Sequence, residues 1–142
     1  ILNKIDKYDT FLCIKNNRNA DLMTKLIAFV HNNDNFPEYK NITHDNNIFY
    51  TAEDNKWMEI KFEELYPSLN GTLSKMMTST GEYMDKVTLN KDEKLSIKTI
   101  LNGFVFEYKD TNKKTIDSLE SHAKKALSIE GKIPHENEMF GF

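Results

Sequence analysis

Apolar residues recur along this chain in two rhythms. Between Ile48 and Phe62 the rhythm is that of strands: the run Ile48-Phe49-Tyr50-Thr51-Ala52, a polar turn Glu53-Asp54-Asn55-Lys56, then Trp57-Met58-Glu59-Ile60-Lys61-Phe62. Side chains alternate across a strand, so this β-hairpin is expected to place Met58, Ile60 and Phe62 on its core face and Trp57, Glu59 and Lys61 on the other. A short segment at Ile42-Thr43, reached across Asp45-Asn46-Asn47, extends the hairpin to a three-stranded meander. Upstream, Phe11-Leu12-Cys13-Ile14 is apolar on both faces, which predicts a buried strand over Tyr8 to Lys15.

The helical rhythm is clearest at Leu22, Met23, Leu26, Ile27 and Val30, where it predicts a helix near 20–31 capped by Asn19. It returns at Leu73, Met76, Met77, Thr80 and Met84, giving a helix near 69–86 that starts after Tyr66-Pro67. A last stripe, Ile116, Leu119, Ala123, Ala126 and Leu127, gives a helix near 113–130 stopped by Gly131. Between them, Leu95, Ile97, Thr99 and Leu101 alternate, Asn102-Gly103 suits a type I′ turn, and Phe104, Phe106 and Tyr108 alternate back, so a second hairpin is expected at 95–108. The competing reading starts a short helix at Asn90 with Glu93 as its capping partner and ends it at Leu101 with Gly103 as its C-terminal cap, and under both readings Phe104 to Tyr108 is a strand. Thr99 and the two Ile residues favour the strand. The expectation is an α+β fold: a single domain over 1–131 in which an antiparallel sheet packs against two to three helices, followed by a tail at 132–142.

Composition narrows the functional classes. Lys+Arg number 19 against Asp+Glu 22, and Arg18 is the only arginine. Arginine supplies most bidentate contacts to phosphates and base edges, so nucleic acid is a disfavoured partner. Cys13 is the single cysteine, which excludes an intrachain disulfide and a thiolate cluster. No apolar run reaches membrane length and no leader pattern is visible, so no membrane partner and a cytoplasmic, intracellular setting are expected. The abundance of Asn and Lys fits an AT-rich genome, as in viruses and phages.

Three readings of function remain, of which a nucleic-acid-binding accessory domain is the least favoured. The order helix, meander, helix, with Met58-Glu59-Ile60-Lys61-Phe62 on the third strand, resembles the PD-(D/E)xK nucleases. That resemblance implies Asp45, Glu59 and Lys61 as catalytic residues, with Asp45 and Glu59 holding Mg or Mn. Asp45 stands ahead of the apolar run instead of inside it. The four histidines do not cluster, and neither a Gly-rich phosphate loop nor a nucleophile elbow is present. Without such a constellation the favoured reading is a non-enzymatic protein-interaction domain needing no cofactor, with Tyr50, Trp57, Phe140 and Phe142 as aromatic binding residues, a type enriched in interface hot spots.

Overall fold

The computed structural model describes residues 5–18, 21–109 and 111–128. The fold is α+β, with a three-stranded antiparallel sheet and five helices in the order α1 (Lys7–Asn16), α2 (Leu22–His31), β1 (Ile42–Asp45), β2 (Ile48–Glu53), β3 (Lys56–Ile60), α3 (Phe62–Met84), α4 (Lys91–Tyr108) and α5 (Lys113–Leu127). A short 3-10 turn at Pro37–Tyr39 precedes the sheet, and no described helix is long and apolar enough to cross a membrane.

The long helix α3 is the axis of the molecule. Leu65, Tyr66, Leu69, Leu73, Met76, Met77, Thr80 and Met84 follow one another at helical spacing and are all buried, with α1, α4 and α5 packed around them. Its methionines Met76, Met77 and Met84 are buried core residues. The helix begins at Phe62, seven residues before the expected start. Pro67 does not end it, because Pro67 is exposed and the hydrogen bond it removes falls on the solvent side of the second turn.

One expected strand and one expected hairpin are helices. Over Tyr8 to Lys15 the chain forms α1: the Asp6 carboxylate accepts from the Tyr8 N–H at 3.0 Å, and Thr10, Phe11 and Ile14 turn to one buried face. The apolar run that looked two-sided is one helix face plus its flanks, where Leu12 and Cys13 pack half-buried. The hairpin expected at 95–108 is α4. Asn90 accepts from the Glu93 N–H at 2.7 Å, and Ile97, Phe104 and Tyr108 are buried at spacings of seven and four. Leu95, Val105 and Phe106 are exposed, and two of these outward apolar residues, Leu95 and Phe106, supplied part of the false alternation. Gly103 faces open space inside the helix, at a cost of about 1 kcal/mol relative to alanine.

The meander itself stands as expected, in the order β1-β2-β3. Helix α5 closes the structure at β1, where Thr43 donates its hydroxyl to the Leu127 carbonyl at 3.1 Å and His44 pairs with Ser128 as a parallel bridge. The last residues expected in α5 and the tail from 132 lie outside the described residues.

Candidate functional site

Both hairpin turns have two residues with positive φ: Asn46 and Asn47 at 51° and 66°, Asp54 and Asn55 at 51° and 62°. These are the values a type I′ turn requires, and Asn and Asp tolerate the left-handed region better than other side chains. Turns this short fix the register. Asp45 faces Ile48 across the first and Glu53 faces Lys56 across the second.

In a two-residue hairpin the pair flanking the turn exchanges both backbone hydrogen bonds, and bonded and unbonded pairs then alternate. Ile48, Tyr50 and Ala52 therefore bond toward β1, whereas Phe49, Thr51 and Glu53 bond toward β3. The Ala52 N–H donating to the Asn41 carbonyl at 2.8 Å continues this phase. On β3 the residues bonded to β2 are Lys56, Met58 and Ile60. Trp57 and Glu59 turn their N–H and C=O groups the other way, toward the edge of the sheet.

Facing partners share a face, which sorts the side chains. The inner face carries Ile42, His44, Phe49, Thr51, Met58 and Ile60; it packs through Phe49, whose ring centroid lies 5.0 Å from that of Phe62 and 4.7 Å from His44. The expected core face of β3 is thus partly corrected. Ile60 packs on the core, but Met58 is 47% exposed because it lies beyond the helix layer, and Phe62 belongs to α3.

The outer face carries Thr43, Asp45, Ile48, Tyr50, Ala52, Trp57 and Glu59. Tyr50 faces Glu59 and Ala52 faces Trp57, so Tyr50 and Trp57 are diagonal neighbours, a separation of about 7 Å that two aromatic side chains span. Ile48, Tyr50, Ala52 and Trp57 are half-buried and stand outside the hydrophobic core cluster. Two of the four aromatics named from the sequence are therefore brought together on one surface. Phe140 and Phe142 lie outside the described residues.

The nuclease triad is not assembled in the same way. Asp45 belongs to β1 and Glu59 to β3, with β2 between them and their facing residues Ile48 and Tyr50 two positions apart, which sets their backbones about 12 Å apart. Among the described residues no three His, Cys, Asp or Glu side chains are grouped to hold a metal ion.

The end of the sheet holds a groove of about 530 Å³ that sequence reasoning missed. Ile48, Glu59 and Lys61 open it onto the outer face, Glu63 and Glu64 come from the first turn of α3, and Glu120 comes from α5. Four carboxylates stand there against the single ammonium of Lys61. Glu63 and Glu64 suit the positive end of the α3 dipole, which accounts for their position locally. Only the fold brings Glu120, which lies 4.0 Å from Lys124 on its own helix, to the same place. A second unforeseen surface is on α4, where Phe106 is 82% exposed and lines a cleft of about 650 Å³ with Lys109, Lys114 and Ser118.

Two buried histidines bracket the sheet. His31 Nδ1 lies near the Tyr39 carbonyl and the Asn41 side-chain oxygen, and His44 Nδ1 lies 2.8 Å from Ser128 Oγ. Burial holds the pKa of each below that of a free imidazole; the Lys124 ammonium adds to the effect at His44, while Asp45 opposes it.

Neither protein-family models, nor curated proteins, nor solved structures yield a match to this chain.

Proposed function

We propose that this chain is a non-enzymatic protein-interaction module whose partner docks on the outer face of the meander. One observation carries the reading: Tyr50 and Trp57 lie together on a sheet face that stands outside the hydrophobic core, flanked by Ile48 and Ala52 and bordered by charge. Rigid aromatics at the centre of a patch with a charged rim are the usual anatomy of a protein interface. Protein is favoured over nucleic acid because the adjoining groove is acidic and would repel a phosphate backbone. A chain with one cysteine and no disulfide suits a reducing, intracellular compartment.

The test places a photo-crosslinking benzoylphenylalanine at Tyr50, with a control at Phe106 on α4. After irradiation in lysate of the native source, the protein captured at Tyr50 and not at Phe106 is purified and titrated against the parent chain. Trp57→Ala should weaken that binding at least tenfold, in keeping with a hot-spot truncation of about 2 kcal/mol, with an unchanged melting temperature. Equal affinity for parent and Trp57→Ala would remove the reading.

A further inference from the structure

Helix α1, the end of α2 and the loop that follows it enclose a pocket of about 360 Å³, lined entirely by described residues. That volume lies at the lower end of the range of small-molecule sites, roughly 300–1,000 Å³. We propose that the pocket binds a neutral sugar ring, with its C–H groups against Phe29 and Phe36 and its hydroxyls on the amides of Asn17 and Asn33. The site uses no residue of the outer sheet face, so it goes beyond the docking reading and the two stand or fall separately.

The floor of the pocket is apolar. Leu12 and Cys13 come from the flank of α1, Phe29 from α2 and Phe36 from the loop, and all four are half-buried against the core. The ring centroids of Phe29 and Phe36 lie 5.8 Å apart with the planes at 68°, so the two rings form a corner. The faces of a sugar ring carry C–H groups with slight positive charge, and the face of an aromatic ring is negative.

The rim supplies hydrogen bonds. Four of the nine lining residues are asparagines, and an amide offers donors and an acceptor in one plane to hydroxyls that can both donate and accept. The fold has already oriented two of these amides. Asn17 Nδ2 donates to the Cys13 carbonyl at 2.7 Å, and Asn33 Oδ1 accepts from the Asn35 N–H at 3.0 Å. Asn17 is left with its oxygen and Asn33 with its nitrogen, and among the described residues neither atom has a partner. A fixed acceptor and a fixed donor therefore share one pocket, with Asn16 and Asn35 exposed beside them.

Charge decides against other ligands of this size. Asp9 is the single charged residue of the lining, and burial keeps the Cys13 thiol neutral. A phosphate or carboxylate would find no cation there and would meet the Asp9 carboxylate, which accepts hydrogen bonds from hydroxyls instead. The corner between the two rings also lacks the parallel walls that would hold a flat base between them.

The probes are D-glucose, D-galactose, D-mannose and N-acetylglucosamine, titrated into the isotope-labelled full chain while the side-chain amide signals of Asn16, Asn17, Asn33 and Asn35 are followed by NMR. At least one sugar should shift these signals saturably, with a Kd of about 1 mM, the affinity expected of a ligand with about a dozen heavy atoms. Sorbitol, which has the hydroxyls without the ring, should bind about tenfold more weakly or worse. Asn33→Asp keeps the shape of the side chain and its bond to Asn35 but removes the donor, and should weaken the sugar by about tenfold, the worth of one hydrogen bond. Asn16→Ala, at an exposed position that leaves the fold unchanged, should weaken it by a smaller factor. Maltose, lactose, mannobiose or chitobiose, matched to the sugar that binds, then separates two sources: tighter binding than the monosaccharide indicates a glycan chain and equal binding a free sugar, and either supports the site. No saturable shift with any of the four sugars, shifts with adenosine in their place, equal binding of sorbitol, or unchanged affinity in both variants would overturn the proposal.

Discussion

The Nδ1 of His31 lies 2.9 Å from the carbonyl oxygen of Tyr39, with the Asn41 side-chain oxygen at 3.0 Å on the same nitrogen. Both neighbours accept, so Nδ1 carries the proton and donates. The imidazole is neutral, and burial opposes its second proton more than these hydrogen bonds favour it. The folded-state pKa is therefore below the 6.5 of an unfolded histidine, and that of His44 is displaced in the same direction. The unfolded chain binds more protons in this window, so the stability these residues contribute is complete above about pH 6.5 and is lost as pH falls toward the folded values. Denaturant titrations from pH 7.5 to 5 should show falling stability. His31→Gln should reduce the slope and the pair His31→Gln, His44→Gln should reduce it further; an unchanged slope in the double variant would contradict the assignment.

The two turns make a separate prediction. Asn55 has φ of 62°, a conformation that costs a side chain branched at Cβ about 1–2 kcal/mol. Asn55→Val should lower the unfolding free energy by about that amount, while Asn55→Gly should be tolerated without loss. Chemical denaturation measures both.

On α4, burial separates two residues of similar hydrophobicity. Ile97 is fully buried and Phe106 is 82% exposed. Ile97→Ala should cost about 2–5 kcal/mol, whereas Phe106→Ser should stay within about 0.5 kcal/mol of the parent. Thermal melts of the two variants test this helix directly. A hairpin at 95–108 would place both residues in strands, and no such contrast would then be required.

Cys13 is predicted to be sluggish. Burial pushes its thiol up to about 11, against a smaller downward pull from Asn17, whose side-chain amide lies 4.0 Å from the Cys13 Sγ. At pH 8 the thiolate fraction, and with it the rate of alkylation by iodoacetamide, should be about 100-fold below that of an exposed cysteine. Mass spectrometry of the intact chain over time gives the rate. Full reactivity in denaturant would show that the fold is responsible.

The meander was legible because its signals are local: Asn and Asp at the turns and alternation on either side specify both strands and their faces. So was α2, with its stripe from Leu22 to Val30. The segment 95–108 misled because Leu95 and Phe106 are apolar without being buried, so the alternation they complete has no packing behind it. Position Pro67 misled in the opposite sense, since a proline on the solvent side of a long helix removes one bond that water replaces. Of the candidate site, Tyr50 and Trp57 could be found from their alternation within one hairpin. Glu120 could not, because it joins the groove from a helix some 60 residues away whose docking no local pattern encodes.

The bond between Thr43 and Leu127 spans 84 positions of the chain. At a ribosomal rate of about 5–20 residues per second, α5 follows β1 by roughly 4–17 s. The meander, held by turns that close within microseconds, can form long before then. For those seconds β1 has no α5 against it, so a nascent chain presents a second sheet edge that the finished protein covers with Leu127 and Ser128. Association on the ribosome would therefore involve the β1 side of the sheet.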